Sequence, residues 1–243
     1  MKKNRNELLL KVLDAKMKKA IFSYNLFNDG DRVMIALSGG KDSLALVELL
    51  GRRSKILFPK LHLFAVHVIM DNIPYYSDIE YLRIFCDTYS IPLKIKKCTF
   101  DITIDKRKSP CFLCSWNRRK AIFEAAKENN CTKIALGHHQ DDILQTLLMN
   151  MAFQGAFSTM PPFLQMKKFD MAIVRPLCLI AEKELCELAK MSAYKEQIKK
   201  CPYETDSFRP EFKKILNSLG TLNPHVRQSM WSAMNNIQKD YLP

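Results

Sequence analysis

Hydrophobic residues along the chain follow two different periods, one typical of helices and one typical of strands. Between residues 7 and 27, apolar positions recur every three or four residues with lysines between them, which predicts an amphipathic helix. Five short β-rich runs follow Gly30, separated by helical runs, at residues 32–37, 61–69, 93–99, 133–136 and 172–175. Strands that alternate with helices pair in parallel through right-handed crossovers. The sequence therefore predicts an α/β fold with a doubly wound, parallel, five-stranded sheet.

The same patterns divide the chain into three regions. Residues 1–28 contain the predicted N-terminal amphipathic helix, and residues 29–180 contain the predicted α/β core. Residues 181–243 form a predicted C-terminal helical extension, with helical periodicity at 182–191, 211–219 and 224–240. A chain of 243 residues is long enough to bury a substantial core. We therefore expect one core domain with helical extensions at both ends.

A glycine-rich turn connects the first predicted strand to the helix after it, and it consists of Ser38, Gly39, Gly40, Lys41, Asp42 and Ser43. Adjacent glycines let the backbone approach an anion closely, and the unpaired amides at a helix N-terminus point towards that anion. Lys41 adds a positive charge to the turn. The Walker pattern is not met, because Ile35 stands where that motif has its first glycine and Asp42 separates Lys41 from Ser43. The turn therefore predicts a phosphate-binding loop of a different class.

A second polar cluster follows the fourth predicted strand. Ligands of open parallel sheets lie at the carboxyl ends of the strands, so this cluster and the glycine-rich turn belong to the same edge. Gly137 gives backbone access there, and the two histidines and two aspartates that follow it, His138, His139, Asp141 and Asp142, favour a ligand site. Asp141 and Asp142 stand where the next helix begins and could hold Mg²⁺ on phosphates, or Asp141 could cap the helix. Arg175, at the end of the fifth strand, could add a guanidinium to the phosphates.

Three of the eight cysteines lie in contexts that favour ligation over packing. Cys111 and Cys114 form a C-x-x-C motif beside the third strand and its crossover helix, which fits either a metal site or a redox dithiol. Cys201 lies in a loop-like segment between helical runs. Three thiolates suit an iron–sulfur cluster or an incomplete zinc site. The other cysteines lie in apolar contexts typical of small core residues, and they are Cys86, Cys98, Cys131, Cys178 and Cys186.

Charge indicates the class of partner. Lys and Arg number 38 against 25 Asp and Glu, and the formal net charge of +13 favours a polyanion such as nucleic acid. Basic and aromatic residues around the C-x-x-C motif are candidate RNA contacts, although a solvated basic face explains the lysines equally well: Lys106, Arg107, Lys108, Trp116, Arg118, Arg119 and Lys120. The sequence has no apolar run of about 18 residues and no export signal. It therefore predicts a cytoplasmic protein without a membrane span.

Taken together, these motifs resemble the tRNA 2-thiocytidine synthetase (TtcA-like) family of the ATP pyrophosphatase, or PP-loop, superfamily. The resemblance covers residues 7–210 in order and is carried by the glycine-rich turn, the C-x-x-C motif with Arg118 and Arg119, and the segments 137–146, 175–177 and 201–204. It implies a PP-loop ATPase fold of the adenine nucleotide alpha hydrolase type. It also implies an enzyme that uses ATP and Mg²⁺ to adenylate the C2 oxygen of a cytidine in the tRNA anticodon loop and to replace that oxygen with sulfur.

The resemblance further implies a role for each matched position. A [4Fe–4S] cluster with one iron open for sulfur would be held by Cys111, Cys114 and Cys201. ATP would be bound by the six residues of the turn together with Val68, Gly137, His138 and Arg175. The residues implied to act in the reaction are Lys41, Asp42, Asp142 and the three cysteines, and Mg²⁺ would be held by Asp141 and Asp142. The implied partners are tRNA, a sulfur donor such as a cysteine desulfurase, and a second copy of the chain in a homodimer.

The chain departs from the family pattern after the second strand. Family members carry an aspartate directly at the end of this strand, whereas here the first acid is Asp71, and the loop 72–76 lacks the usual glycine. These positions lie near the expected adenosine pocket, and the differences affect the identity of the acceptor base more than the binding of ATP. Two alternatives stay open: a related PP-loop enzyme that modifies another base, and a non-catalytic metal-binding, RNA-binding or redox-sensing module.

Overall fold

The computed structural model describes residues 2–54, 58–73, 77–101, 109–167, 169–195 and 208–241. Within these ranges the strands are β1 (Arg32–Ala36), β2 (His62–Met70), β3 (Leu93–Cys98), β4 (Lys133–Ala135), β5 (Phe163–Gln165) and β6 (Ala172–Val174). The helices are α1 (Lys2–Ser23), α2 (Lys41–Ser54), α3 (Ile79–Thr88), α4 (Pro110–Glu128), α5 (Gln140–Gln154), α6 (Glu182–Met191), α7 (Arg209–Leu222) and α8 (Val226–Ala233), with a short 3-10 helix at Lys239–Tyr241.

The strands form one sheet in the order β3-β2-β1-β4-β6-β5, and every neighbouring pair except β5 and β6 is parallel. The predicted α/β class and parallel pairing are confirmed. The chain winds from β1 to β2 and β3 on one side and to β4 and β6 on the other, so the order reverses between β1 and β4. Ligands of such sheets bind at this reversal, beyond the carboxyl ends of the strands. The glycine-rich turn directly follows β1.

The predicted count of five strands is wrong, because the sheet has six. The additional strand, β5, is only three residues long and pairs antiparallel with β6, with Leu164 opposite Ile173. Prolines at 161 and 162 precede it directly, and its length gives no alternating pattern, so the sequence indicates a loop there. The fifth strand predicted from sequence is β6.

One layer of the core lies between α4 and the sheet. The buried face of α4 carries Ala121, Phe123 and Ala125, which pack in the same cluster as Met34 of β1 and Ile134 of β4. Burying a side chain the size of Phe stabilises a fold by roughly 1.5–3 kcal/mol, so this layer fixes α4 firmly on the sheet. The position of α4 in turn determines where the residues of its first turn lie.

Helix α4 begins at Pro110 and ends at Glu128. The Ser109 side chain accepts a hydrogen bond from the Phe112 amide at 3.2 Å and caps the helix. Proline suits the first helical turn, since its missing N–H would have no partner there. As a result, both cysteines of the C-x-x-C motif lie within the first five residues of a helix.

The chain divides into two compact units. The first comprises residues 1–139 and 162–205 and contains the sheet with α1, α2, α3, α4 and α6. The second comprises residues 140–161 and 206–243, and its helices pack through Phe153, whose ring centroid lies 5.1 Å from that of Phe208 and 5.6 Å from that of Phe212. The three-region division drawn from the sequence stays a prediction.

The largest difference between predicted and observed helix length also lies in the second unit. The sequence predicts helical structure over 224–240, whereas α8 ends at Ala233 and a single 3-10 turn follows at 239–241. Among the described helices, none combines the length and the apolar character that a membrane span requires.

Candidate nucleotide and thiol site

The glycine-rich turn is a closed loop between β1 and α2. Gly39 has a φ of 82°, a left-handed conformation that glycine adopts without steric cost. The Ser43 hydroxyl donates to the Gly40 carbonyl at 2.8 Å, and the Gly40 amide donates to the Ser38 hydroxyl at 3.3 Å. The Ser38 and Ser43 hydroxyls lie 3.1 Å apart. These bonds hold the turn around the N-terminus of α2, where free amides and the helix dipole favour an anion.

Gly137 brings the loop after β4 into backbone contact with this turn. A Cβ atom at this position would lie 3.1 Å from the carbonyl carbon and oxygen of Asp42 and 3.1 Å from the amide nitrogen of Ser43. Only glycine allows so close an approach without displacing α2. The structure thus brings together the loop residues and Gly137, which the sequence placed at the same edge of the sheet.

Lys41 is held by two carboxylates of the first unit. Its Nζ lies 3.0 Å from Oδ1 of Asp42 and 3.4 Å from Oε1 of Glu182, the first residue of α6. Burial lowers the pKa of Lys41, but the two carboxylates outweigh this effect and the pKa lies above its ordinary value. Lys41 is therefore fully charged near neutral pH. A phosphate bound at the turn would compete with Glu182 for Lys41. The sequence analysis missed Glu182 because only the fold brings it to Lys41.

A small cavity of about 50 Å³ opens beside the turn, and Ser38, Val68 and Arg118 are among its lining residues. Val68, expected from the sequence near the adenosine, thus lies next to the loop. His67 lines the same cavity and was missed by sequence reasoning, although a polar residue in an apolar strand is a usable signal. Its Nδ1 donates to the Leu37 carbonyl at 2.7 Å, and its Nε2 lies 2.9 Å from the Ser77 hydroxyl. His67 therefore anchors the residue that precedes the turn.

A larger cavity of about 290 Å³ lies beside the C-x-x-C motif. Cys111 and Cys114 line it from the N-terminal end of α4, and the sheet contributes Ile134 of β4, Leu136 directly after β4 and Ile173 of β6. Cys111 is exposed and Cys114 is half-buried. Residues three apart on a helix lie on the same face, so both thiols reach one cavity. This arrangement suits two ligands of one soft metal centre or one dithiol.

Arg118 joins the two cavities. It lies one helical turn after Cys114, and both it and Ile122 line the cavity beside the cysteines and the cavity beside Ser38. Its Nε is buried and makes no hydrogen bond to any part of the chain that the structure describes. A positive charge therefore stands between the phosphate-binding turn and the thiols.

Three of the five cysteines assigned to packing are buried core residues, whereas Cys98 and Cys186 are half-buried. Cys86, Cys131 and Cys178 are buried, and burial raises the pKa of their thiols to about 12, about 11 and about 12. Cys98 is half-buried and its Sγ lies 3.0 Å from the Met70 sulfur, with burial again raising its pKa. Such thiols are protonated near neutral pH and are poor metal ligands.

The two predicted magnesium ligands lie in the second unit and make ion pairs there. Oδ1 of Asp141, which is buried, accepts from Nε of Arg227 at 2.6 Å, and Oδ1 of Asp142 lies 3.7 Å from Nη1 of Arg209. Asp141 therefore has a structural role in joining α5 to α8. Outside the gaps in the described chain, no three His, Cys, Asp or Glu side chains are grouped as a metal site would need. The assignment of Mg²⁺ to these aspartates stays a prediction.

The remaining candidates occupy several places. His138 is half-buried in the loop after β4, and Arg175 directly follows β6, where burial chiefly lowers the pKa of its guanidinium to about 10. Trp116, Arg119 and Lys120 are exposed on α4. The other candidates lie outside the described residues, and they are Lys106, Arg107, Lys108 and Cys201.

Comparison with known proteins gives consistent matches. The family model described as PP-loop domain matches residues 9–206, close to the span 7–210 over which the motifs are similar to the family. A tRNA-cytidine(32) 2-sulfurtransferase of Aliivibrio salmonicida is 36% identical over 92% of this chain and 74% of its own length. A second, from Francisella tularensis subsp. novicida, is 34% identical over 92% of this chain and 90% of its own.

Among solved structures, the chain is similar to the U34-tRNA thiolase NcsA from Methanococcus maripaludis, which was solved with its [4Fe-4S] cluster. The TM-score is 0.79 at 29% identity, over 98% of this chain and 82% of that chain.

Proposed function

The chain belongs to the tRNA 2-thiocytidine synthetase family of PP-loop proteins, and from that premise we propose that it uses ATP to thiolate a cytidine of the tRNA anticodon loop. The relatives that support this acceptor are named for cytidine 32 and match 92% of the chain. The fold class, the phosphate-binding turn and the cysteine pair agree with it. The proposed enzyme is an ATP-dependent tRNA sulfurtransferase.

One observation carries the proposal: Arg118 and Ile122 line both the cavity at Ser38 and the cavity at the cysteines. The two cavities therefore share a wall. A base that is adenylated at the phosphate-binding turn can meet a sulfur nucleophile beside Cys111 and Cys114 without leaving the site. An enzyme that only bound nucleotide, or only sensed redox state through its thiols, would not need this arrangement.

The proposed reaction has two steps that balance without net oxidation. The C2 oxygen of cytosine attacks the α-phosphorus of ATP, the new O–P bond forms, and pyrophosphate leaves. A sulfur nucleophile at the oxidation level of sulfide then forms the C2–S bond, and the C2–O bond breaks as AMP leaves with the oxygen. Amides at the start of α2 and the charge of Lys41 hold the pyrophosphate, and Arg118 stabilises the negative charge on departing AMP.

The cysteine pair fits an iron–sulfur centre. Cluster ligands in proteins are thiolates, and a C-x-x-C pair at a helix N-terminus places two of them in one turn where negative charge is favoured. We propose that Cys111 and Cys114 hold a [4Fe–4S] cluster with Cys201 as the third ligand. When bound, such a cluster supplies an iron position that can carry sulfur. The chain's own contribution is the cavity beside Cys111 and Cys114, which shares Arg118 with the cavity at the glycine-rich turn.

Four further parts of the proposal come from the family alone: Mg²⁺ on the phosphates, a sulfur donor such as a cysteine desulfurase, a homodimer and a cytoplasmic location. A second acceptor has specific support. The structural neighbour with a TM-score of 0.79 is named as a U34-tRNA thiolase, so uridine thiolation is the alternative for the same chemistry.

Mass spectrometry of tRNA nucleosides tests the proposal. Cells that lack the gene should lose 2-thiocytidine, and the wild-type gene should restore it whereas Cys114→Ser should not. The matched control is Cys131→Ser, which removes a thiol from the far end of α4, where the new hydroxyl can still donate to the Asn129 carbonyl. Retention of 2-thiocytidine in the deleted strain would overturn the cytidine assignment, and loss of a thiolated uridine instead would establish the alternative acceptor.

A further inference from the structure

A second groove runs along the outer side of α4. It lies between α4 and the turn that connects β5 to β6, and Trp116, Lys120, Phe123, Lys127, Met166 and Phe169 are among its lining residues. We call it the α4–hairpin groove. We propose that it binds one unpaired base of the tRNA, adjacent to the reacting cytidine, by stacking on an aromatic ring. The proposal rests on the proposed function in that it takes RNA as the partner.

Two large aromatic side chains are exposed in this groove. Trp116 is 51% exposed and Phe169 is 50% exposed, so each ring keeps apolar surface in contact with water. Phe169 is held in place because its ring centroid lies 5.0 Å from that of Phe123, a buried core residue. Aromatic rings that are fixed on one side and open on the other serve as stacking platforms for unpaired bases.

The charges around the rings suit a polyanion. Arg119, Lys120 and Lys127 face the groove together with a single acid, Glu124, so these side chains sum to +2. The Lys120 ammonium lies 3.9 Å from the Glu124 carboxylate and 5.9 Å from the centre of the Trp116 ring. Exposed ion pairs of this kind are weak, so a phosphate can draw Lys120 away at little cost. This charge balance favours RNA over an uncharged apolar partner.

The groove is connected to the reacting cavity. Arg119 and Phe123 line both the α4–hairpin groove and the cavity beside the cysteines. A nucleotide in the groove is therefore a direct neighbour of a base in that cavity. The groove measures about 460 Å³, at the lower end of the range for small-molecule sites. It suits one nucleotide with its base turned out of the loop, which is how proteins recognise single-stranded RNA.

The direct test is the fluorescence of Trp116. The chain has two tryptophans, so Trp231→Phe leaves Trp116 as the sole reporter. Titration with an anticodon stem–loop RNA should quench its emission, whereas a blunt RNA duplex of equal charge should not. Equal responses to both RNAs, or none to either, would overturn stacking at this ring.

Affinity gives an independent measurement. Phe169→Ala should weaken binding of the same stem–loop by about 5- to 100-fold in a fluorescence anisotropy titration at fixed salt, as loss of one stacked base would. The matched control is Phe22→Ala, which removes a similarly exposed ring (47%) from α1 and should leave the affinity unchanged.

The outcomes separate this proposal from the proposed function. Wild-type thiolation with unchanged RNA affinity in Phe169→Ala would overturn the groove and leave the function standing. Failure of wild-type thiolation together with the predicted quenching would overturn the function and keep the groove. A change of oligomeric state in Phe169→Ala, without a change in RNA affinity, would show that a second copy of the chain covers the groove and would also overturn the proposal.

Discussion

Replacing Gly137 by alanine tests how the phosphate-binding turn is built. The added methyl group would lie 3.1 Å from three backbone atoms of Asp42 and Ser43, at the start of α2. Such a contact is tighter than ordinary van der Waals contact, so the two segments must separate by a few tenths of an ångström. The contacted atoms belong to the backbone and cannot rotate away. Gly137 does not have a positive φ, so the contact alone accounts for any effect.

The contact distance sets the expected magnitude. Overpacking of a close-packed site costs about 1–3 kcal/mol. The displaced atoms are the ones that hold phosphate in the proposed function, so we expect this cost to appear in nucleotide binding. Since 1.4 kcal/mol corresponds to about a factor of ten, the Kd for ATP should rise by about 5- to 150-fold in Gly137→Ala. Isothermal titration calorimetry measures the Kd, and the thermal midpoint shows whether the variant is folded.

Gly220→Ala is the matched control. A methyl group there would lie 3.5 Å from the Arg227 side chain, an ordinary contact, and alanine is favoured over glycine within a helix such as α7. This variant should bind ATP with the wild-type Kd. Wild-type affinity in a folded Gly137→Ala protein, or equal losses in both variants, would refute the account of the turn.

Three further predictions concern charges and thiols. Glu182→Gln removes the more distant of the two carboxylates beside Lys41. The Kd for ATP, measured by calorimetry, should therefore fall by about two- to fivefold. An unchanged or higher Kd would contradict competition between Glu182 and phosphate. In protein without a bound cluster, mass spectrometry should find that iodoacetamide at about pH 8 modifies exposed Cys111 at least about tenfold faster than Cys86, whose pKa burial raises to about 12. Arg227→Gln leaves the carboxylate of Asp141 buried without its cation. The free energy of unfolding, measured in urea, should therefore fall by about 1–3 kcal/mol. A loss below about 0.5 kcal/mol would show that this ion pair does not stabilise the fold.

Local sequence signals predicted the elements that carry the site. The turn at 38–43 lies between a buried strand and a helix, as its glycines and flanking periodicity indicated. Helix α6 spans Glu182–Met191, the range that its periodicity predicts. These features depend on residues that are close in sequence, so the sequence pattern that predicts them reflects the same local interactions that form them. The start of α4 could also be predicted from the sequence, because Ser109 is a typical N-cap and Pro110 is typical of a first helical turn. Apolar periodicity alone does not contain this signal.

Other features depend on distant residues and could not be predicted. Strand β5 exists because its partner β6 is available, not because its three residues favour a strand. Glu182 reaches Lys41 across 141 residues, and the ion pair depends on where α6 packs. The structural role of Asp141 likewise depends on Arg227, 86 residues away. A carboxylate at a helix start suits a metal, a cap and an ion pair equally well in sequence, and only the fold selects among them.

The position of Arg118 shows how the fold turns separate motifs into one site. In sequence it is a basic residue after a C-x-x-C motif, indistinguishable from a solvated charge or an RNA contact. Packing of α4 on the sheet through Phe123 and Ala125 places its side chain between the phosphate-binding turn and the thiols. In the proposed reaction the carbon that loses AMP is the carbon that gains sulfur, so it would lie where the two cavities meet, and Arg118 would face the anionic leaving group there. Under that proposal, the shared wall would account for the occurrence of the glycine-rich turn and the cysteine pair on one sheet.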